Sequence, residues 1–317
     1  MKNITNSNTE IEKSNKLIGY DDLFIKFEKL YLNKRLPKVI LLSGDKGIGK
    51  STFAFHFINY ILSMNSKIPY DKDSFSINLN NETYKKIIIN VEQNFNFLKC
   101  EKPNIVSIDD IRQLKTKLSK TPLSNLPRFT IIDDIELINL NCANALLKLI
   151  EEPTSYDYFF LINNKRNKLI ETLISRSLEF KIFFTPEQKN YILDQLKTHL
   201  VIENNFTHNY IQYTSPGNLI KFDPIINELK ITSMNEFQEI SAELLKLFNK
   251  TKKNIYISLL LFLIDIKFKK LSKKNKNSIH IADIKNKIYS LLIRYDTLSL
   301  NNVNVSNQFK KYLNYVR

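Results

Sequence analysis

The stretch VILLSGDKGIGKS, running from Val39 to Ser51, decides the fold. Its first four residues are β-branched or Leu, the composition of a strand buried on both faces. They lead without a gap into GDKGIGKS, Gly44 to Ser51, which satisfies G-x-x-x-x-G-K-[ST] at every position. Behind it, KSTFAFHFINYIL reads as a helix. Strand, glycine turn and helix form the context in which this motif cradles phosphate. Gly44, Gly47 and Gly49 let backbone N–H groups wrap the phosphates, and the helix start adds its positive end. Lys50 then meets the β and γ oxygens, and Ser51 ligates Mg²⁺.

Composition sharpens the reading. An average chain of 317 residues would hold about 22 glycines, and this one has 5: Gly19, Gly44, Gly47, Gly49 and Gly217. Three of the five lie in the six positions from Gly44 to Gly49. A chain so short of glycine keeps it where the backbone tolerates nothing else. The formal net charge is +15, which fits a polyanionic partner such as nucleic acid. It fits equally a coding bias, because 40 of the 47 basic residues are Lys. Arginine is therefore the informative cation, since its planar fork has no lysine equivalent.

The two cysteines, Cys100 and Cys142, match no short metal-ligand spacing, and the four histidines are scattered, so neither zinc nor a disulfide framework is expected. The N-terminus lacks an apolar signal core. The most apolar run, Ile255 to Ile264, is about ten residues against about 20 for a membrane span. A cytoplasmic protein without a membrane association is expected.

Along the first 180 residues, β-rich runs alternate with helical patterns. IIINV (Ile87 to Val91) is taken as the second strand, FTIID (Phe129 to Asp133) as the third and YFFLIN (Tyr158 to Asn163) as the fourth. Ser107 to Asp110 forms a capping pattern ahead of Ile111, Leu114 and Leu118. ANALLKLIEEP is a helix stopped by Pro153. The fold class is α/β plus all-α, with a parallel sheet covered on both faces. The expected domains are a nucleotide-binding domain at 1–180, a small helical lid at 181–232, and a helical collar at 233–317 of two or three long helices. One break falls at YTSPGN, and KKLSKKNKNS (Lys269 to Ser278) is expected as a solvated basic connector.

Two further constellations carry chemistry. Asp133 and Asp134 end the third strand, where a carboxylate can hold Mg²⁺ opposite Ser51. Asn163 or Asn164, ending the next strand, can orient a water near a γ-phosphate. Arg176 follows in an S-R-S turn.

This ordered set, phosphate loop, IIDD, ANALLKLIEEP, strand with Asn and S-R-S, resembles the clamp-loader branch of the AAA+ ATPases, and within it the delta prime family of bacterial DNA polymerase III. The resemblance covers about residues 17 to 180. It implies that Gly44, Gly49, Lys50, Ser51 and Thr52 form the ATP/Mg site, with Asp133 on the metal side, Asn164 as first sensor, and Gly19 near the adenine. It also implies that Arg176 is an arginine finger offered in trans to ATP held by a neighbouring subunit. The implied partners are the motor (gamma/tau) and delta subunits, the sliding clamp, and primed DNA reached through a hetero-oligomeric ring. Three departures accompany it. Asp134 replaces the family's water-polarising Glu, Gly217 in TSPGN stands where motor subunits carry a second-sensor arginine, and the four-cysteine zinc module of many relatives is missing. Loss of both the glutamate and the second-sensor arginine, with the phosphate loop kept, implies a ring subunit that binds nucleotide but hydrolyses it weakly or not at all. An active motor subunit or helicase loader is the alternative, and a small P-loop kinase fits poorly with the helical C-terminal half.

Overall fold

In the computed structural model, Val39–Ser43 is strand β1 and all five residues are buried. The structure describes residues 15–100, 106–120, 126–165, 167–200, 208–231, 236–274, 278–298, 308 and 311–312. They fall into two compact units, Met1–Phe184 and Thr185–Arg317.

In the first unit, β1 is joined by β2 (Phe95–Lys99), β3 (Arg128–Asp133), β4 (Asp157–Asn163) and β5 (Leu178–Lys181). The spatial order is β2-β3-β4-β1-β5, and every strand pairing is parallel. Parallel neighbours require crossovers, and these are largely helical: α1 (Asp21–Leu32) precedes β1, followed by α2 (Lys50–Ser63), α3 (Glu82–Ile88), α4 (Ile108–Leu118), α5 (Leu140–Glu151) and the short α6 (Glu171–Ser175). Strand alternation sends Ile40 and Leu42 into a core with Phe24, Phe27, Phe53 and Phe57. Val39 and Leu41 face the opposite core with Ile111, Leu114, Ala143 and Leu146. Covering both faces explains why β1 reads as a continuous apolar run.

One strand expectation is corrected by the structure. IIINV is not a strand: Ile87 and Ile88 end α3, which Asn81 caps by accepting from the Tyr84 N–H at 2.8 Å. Asn90 adopts the left-handed φ of 59° that turns the chain, leaving Ile89 and Val91 exposed. The strand is FNFLK, at the sheet edge, where its alternation of aromatic and polar residues suits a partly covered surface. The capping box at Ser107 forms as read, with the Asp110 carboxylate accepting from the Ser107 N–H at 2.8 Å.

The second unit is helical: α7 (Pro186–Leu200), a 3-10 turn at His208–Tyr213, α8 (Pro216–Glu228), α9 (Phe237–Thr251), α10 (Asn254–Lys274) and α11 (Ser278–Leu298). YTSPGN is the start of α8 rather than a simple break. Ser215 caps it, accepting from the Asn218 N–H, and Pro216 occupies the first turn, where its missing N–H costs nothing. The basic connector is also shorter than expected, because α10 extends through Lys274; residues 275–277 lie outside the described ones. Leu193, Leu219, Phe222, Leu244, Leu260, Leu263 and Ile288 share one buried cluster. The expected boundary at 232/233 falls on residues outside those described.

Candidate functional site: a phosphate cradle facing buried carboxylates

The cradle begins where β1 ends. Gly44 donates its N–H to Asn163 O at 3.2 Å, which ties the loop to β4. A side chain at Gly44 would place its Cβ 2.3 Å from Ile182 O, so only glycine fits against the backbone that follows β5. Gly49 caps α2 in the left-handed region, with φ 96°. A Cβ there would also press on the Tyr20 ring at 3.3 Å. Gly47 is left-handed as well, with φ 81°. Ser51 and Thr52 lie in the first turn of α2 and are half-buried.

Lys50 is 2% exposed, and its Nζ donates to Gly44 O at 2.8 Å and Asp45 O at 2.7 Å. The ammonium thus sits inside the loop where a phosphate oxygen would be held. Burial pushes it down to about 8, opposed by the carboxylates of Asp133, Glu136, Asp45 and Asp134.

Asp45 belongs to the loop itself, whereas Asp133, Asp134 and Glu136 come from the end of β3 and the 3-10 turn Ile135–Leu137 that follows it. Asp134 is buried in the left-handed conformation, with φ 57°. Its Oδ1 accepts from Asn164 Nδ2 at 2.5 Å, and the same amide reaches Asp133 Oδ1 at 3.3 Å. The Asp133 carboxyl is pushed up to about 6, chiefly by burial and further by the neighbouring Asp134.

Asn163 and Asn164 therefore have different work. The Asn163 side chain donates to Ser43 Oγ at 3.3 Å and accepts from the Lys165 N–H at 2.9 Å, bracing the strand ends. Asn164 alone points its amide at the β3 acids.

Two participants escaped the sequence reading. Glu136 is buried, and its Oε2 accepts from the Asn164 N–H at 3.1 Å. The one sequence signal for it, an acidic residue inside the apolar run IIDDIELI, does not by itself say which side chain it meets. Tyr20 donates its hydroxyl to Ile48 O at 2.9 Å and stacks on Phe53, which clasps the cradle from the side of Gly19 (φ 79°).

Arg176 is not part of this cluster. It caps α6 at the turn into β5, and its Nε donates to Glu151 Oε1 at 2.7 Å. Its Nη1 reaches Thr172 O at 3.3 Å and Ser175 Oγ at 3.4 Å. The pair is partly exposed, at 37% for Arg176 and 43% for Glu151. Gly217 lies in the first turn of α8, in the second unit.

The donor set fits magnesium and a polyphosphate. Ser51 and Asp133 offer hard oxygens, and four carboxylates, Asp133 among them, share the neighbourhood of Lys50. A divalent cation would offset that negative charge. Among the described residues no group of three or more His, Cys, Asp or Glu is arranged to hold a metal ion by itself. Magnesium sites of this kind draw on substrate phosphates for the remaining ligands. Cys100 and Cys142 are free and buried, and Cys142 Sγ donates to Val106 O at 3.3 Å. No helix among the described residues is long and apolar enough to cross a membrane.

A parallel sheet in this order, with the phosphate cradle after β1, acids after β3 and an amide after β4, defines a P-loop nucleotide-binding domain of the AAA+ class. A solved DNA polymerase III gamma subunit-related protein from Thermotoga maritima shares the fold: it superposes with a TM-score of 0.51 over 90% of this chain and 99% of its own, at 17% identity. The model of the family described as "DNA polymerase III, delta subunit" matches residues 19–186, just over half of the chain. The protein belongs to this family of clamp-loader subunits. Among curated relatives, the DNA polymerase III subunit delta' of Buchnera aphidicola subsp. Acyrthosiphon pisum is 27% identical over 55% of this chain and 51% of its own length. The gamma subunit of the same organism is 27% identical over 58% of this chain and 50% of its own. The chain thus spans about half the length of these relatives.

Proposed function

We propose that the protein is a delta prime-type ring subunit of a DNA polymerase III clamp loader, working with motor and delta subunits to place a sliding clamp on primed DNA. Arg176 would serve as an arginine finger in trans. The observation that carries this reading is the separation of Arg176 from the chain's own cradle. Its partners are Glu151, Thr172 and Ser175, and its guanidinium is partly exposed at the surface. An arginine in that position stabilises transferring phosphate only on another chain.

The chain's own site supports nucleotide binding with weak hydrolysis. Gly44, Gly47, Gly49 and Lys50 build the cradle, Ser51 and Asp133 would hold magnesium, and Asn164 would serve as first sensor. The magnesium ion would supply charge neutralisation of the phosphates. Asp134, at the water-polarising position, is buried with its carboxylate taken by Asn164. It is one methylene shorter than Glu. Gly217 supplies no side chain where a second sensor would act.

In a reconstituted clamp loader, Arg176→Ala should assemble normally but lower clamp-stimulated ATP turnover and loading severalfold. Lys50→Ala should change loading little. Normal turnover in the Arg176→Ala ring would overturn the finger; loss of loading in an intact Lys50→Ala ring would make this subunit's own site essential.

A second reading, an ATPase motor subunit, is favoured by one observation. Glu136 is a buried carboxylate tied to the backbone of Asn164 and stands near Lys50, so it is a candidate for the base that Asp134 does not provide. Basal turnover by the isolated chain, abolished by both Lys50→Ala and Glu136→Gln, would establish that reading.

A further inference from the structure

We propose that Glu151 is a positioning residue for Arg176: it grips the guanidinium by one edge at the α6–β5 turn and presents the opposite end to a phosphate held by a neighbouring subunit. This rests on the reading of Arg176 as an arginine offered in trans.

The geometry is that of a one-edge grip. Nε and Nη2 of Arg176 both lie 2.7 Å from Glu151 Oε1. Because the guanidinium is planar, holding the Nε and Nη2 edge sets the plane of the whole group. The remaining contacts are long, 3.3 Å from Nη1 to Thr172 O and 3.4 Å to Ser175 Oγ. They align Nη1 without consuming it.

The position of Glu151 strengthens the inference. It is the last residue of α5, where the helix ends in unsatisfied carbonyls and a carboxylate is disfavoured. Its place there does not serve α5. Arg176, in contrast, follows the last residue of α6, where a cation is favoured. Glu151 stands within the LIEEP segment and Arg176 within S-R-S, so the contact joins two motifs that lie 25 residues apart in the chain.

Exposed ion pairs are weak and screened by salt, which sets the expected size of the effect. In the reconstituted full complex, Glu151→Ala should lower the kcat for clamp-stimulated ATP hydrolysis about two- to fivefold, with KM for ATP unchanged. Glu151→Gln, whose Oε1 still accepts both N–H groups, should recover most of the loss. In an Arg176→Ala background, Glu151→Ala should add nothing. Wild-type or faster turnover by Glu151→Ala overturns the proposal, the latter by showing that the pair withholds the arginine. An equal loss in the Arg176→Ala background also overturns it, because the effect would then be a general structural one. If Arg176→Ala itself leaves turnover unchanged, the finger reading fails and the positioning role falls with it. Thermal unfolding of each variant monitors the fold. Should Glu151→Ala destabilise the domain, Glu151→Asp, which withdraws the carboxylate by one methylene, carries the same test.

Discussion

Asp133 shows how the burial of one carboxyl couples stability to pH. An exposed aspartate titrates near 3.9, whereas burial, with Asp134 beside it, pushes Asp133 up to about 6. The folded protein therefore holds this proton more tightly than the unfolded chain. The stabilising contribution is fully present below about pH 4 and is lost as the pH rises through about 6. Asp133→Asn keeps an oxygen for the Asp134 N–H, which donates to Asp133 Oδ1 at 2.9 Å, while removing the charge. It should stabilise the ligand-free protein at pH 7.5 by on the order of 1–2 kcal/mol and give no gain at pH 4, as read by urea unfolding at the two values. A variant less stable than wild type at pH 7.5 would show that burial is not what the carboxylate opposes. In the proposed role of magnesium ligand Asp133 must be ionised, so that role requires the Mg–ATP affinity of the wild type to fall severalfold between pH 7.5 and 5.5 in calorimetric titrations; an unchanged affinity would remove Asp133 from the metal side. The same chemistry separates the legible from the illegible residues. Lys50 and Ser51 were readable because a cradle demands fixed spacing along one loop. Glu136 was not, because its relation to Asn164 runs from the turn after β3 to the residue after β4, 28 residues apart.

At the scale of elements, Arg128 explains how α4 is fastened to the sheet. Its Nε and Nη2 grip the two Asp157 oxygens at 2.7 and 3.1 Å. Nη1 and Nη2 also donate to Lys120 O, Lys117 O and Leu118 O at the end of α4. One buried side chain thus joins β3, β4 and the C-terminal carbonyls of a helix that would otherwise be unsatisfied. Truncating one partner of a buried pair strands the other charge. Arg128→Ala should therefore cost about 3–5 kcal/mol in urea unfolding, and Arg128→Lys should recover little, since an ammonium cannot span both tasks. A loss below 1 kcal/mol would mean that Asp157 finds water instead. The strand assignments carry the corresponding lesson. VILLS, FTIID and YFFLIN are central strands, and burial on both faces leaves an unmistakable apolar run. IIINV has the same composition but begins inside a capped helix, and the edge strand FNFLK, half-covered, lacks such a run. Local composition distinguishes central strands well and edge strands poorly, because an edge is defined by what lies beyond it.

For the whole molecule, the separation of cores is the governing feature. Among the described residues, the first unit holds two buried clusters, one on each face of its sheet, and the second holds a single cluster drawn from α7 to α11. A unit with its own core can fold by itself. The fragments 1–184 and 185–317 should each unfold cooperatively by calorimetry, with the former retaining nucleotide binding. A non-cooperative 1–184 fragment would show that its sheet depends on the helical half. Within the second unit the helices were legible from their apolar spacing. Their sharing of one core was not, since helices that contribute to a common cluster need show no relation along the sequence.

What the sequence determined by itself was the phosphate loop with its glycines and lysine, the acids after β3, the amide after β4, the S-R-S arginine, and through their order the family. These are local patterns, in which the chemistry requires certain residue types at short spacing. Tertiary structure alone decided that Asn164 rather than Asn163 faces the acids, that Asp134 is buried with its carboxylate engaged, that Glu136 joins the cluster, and that Glu151 holds Arg176. Each of those relations links side chains from different elements. They exist only once a parallel sheet has brought its strand ends together and packed helices against both faces.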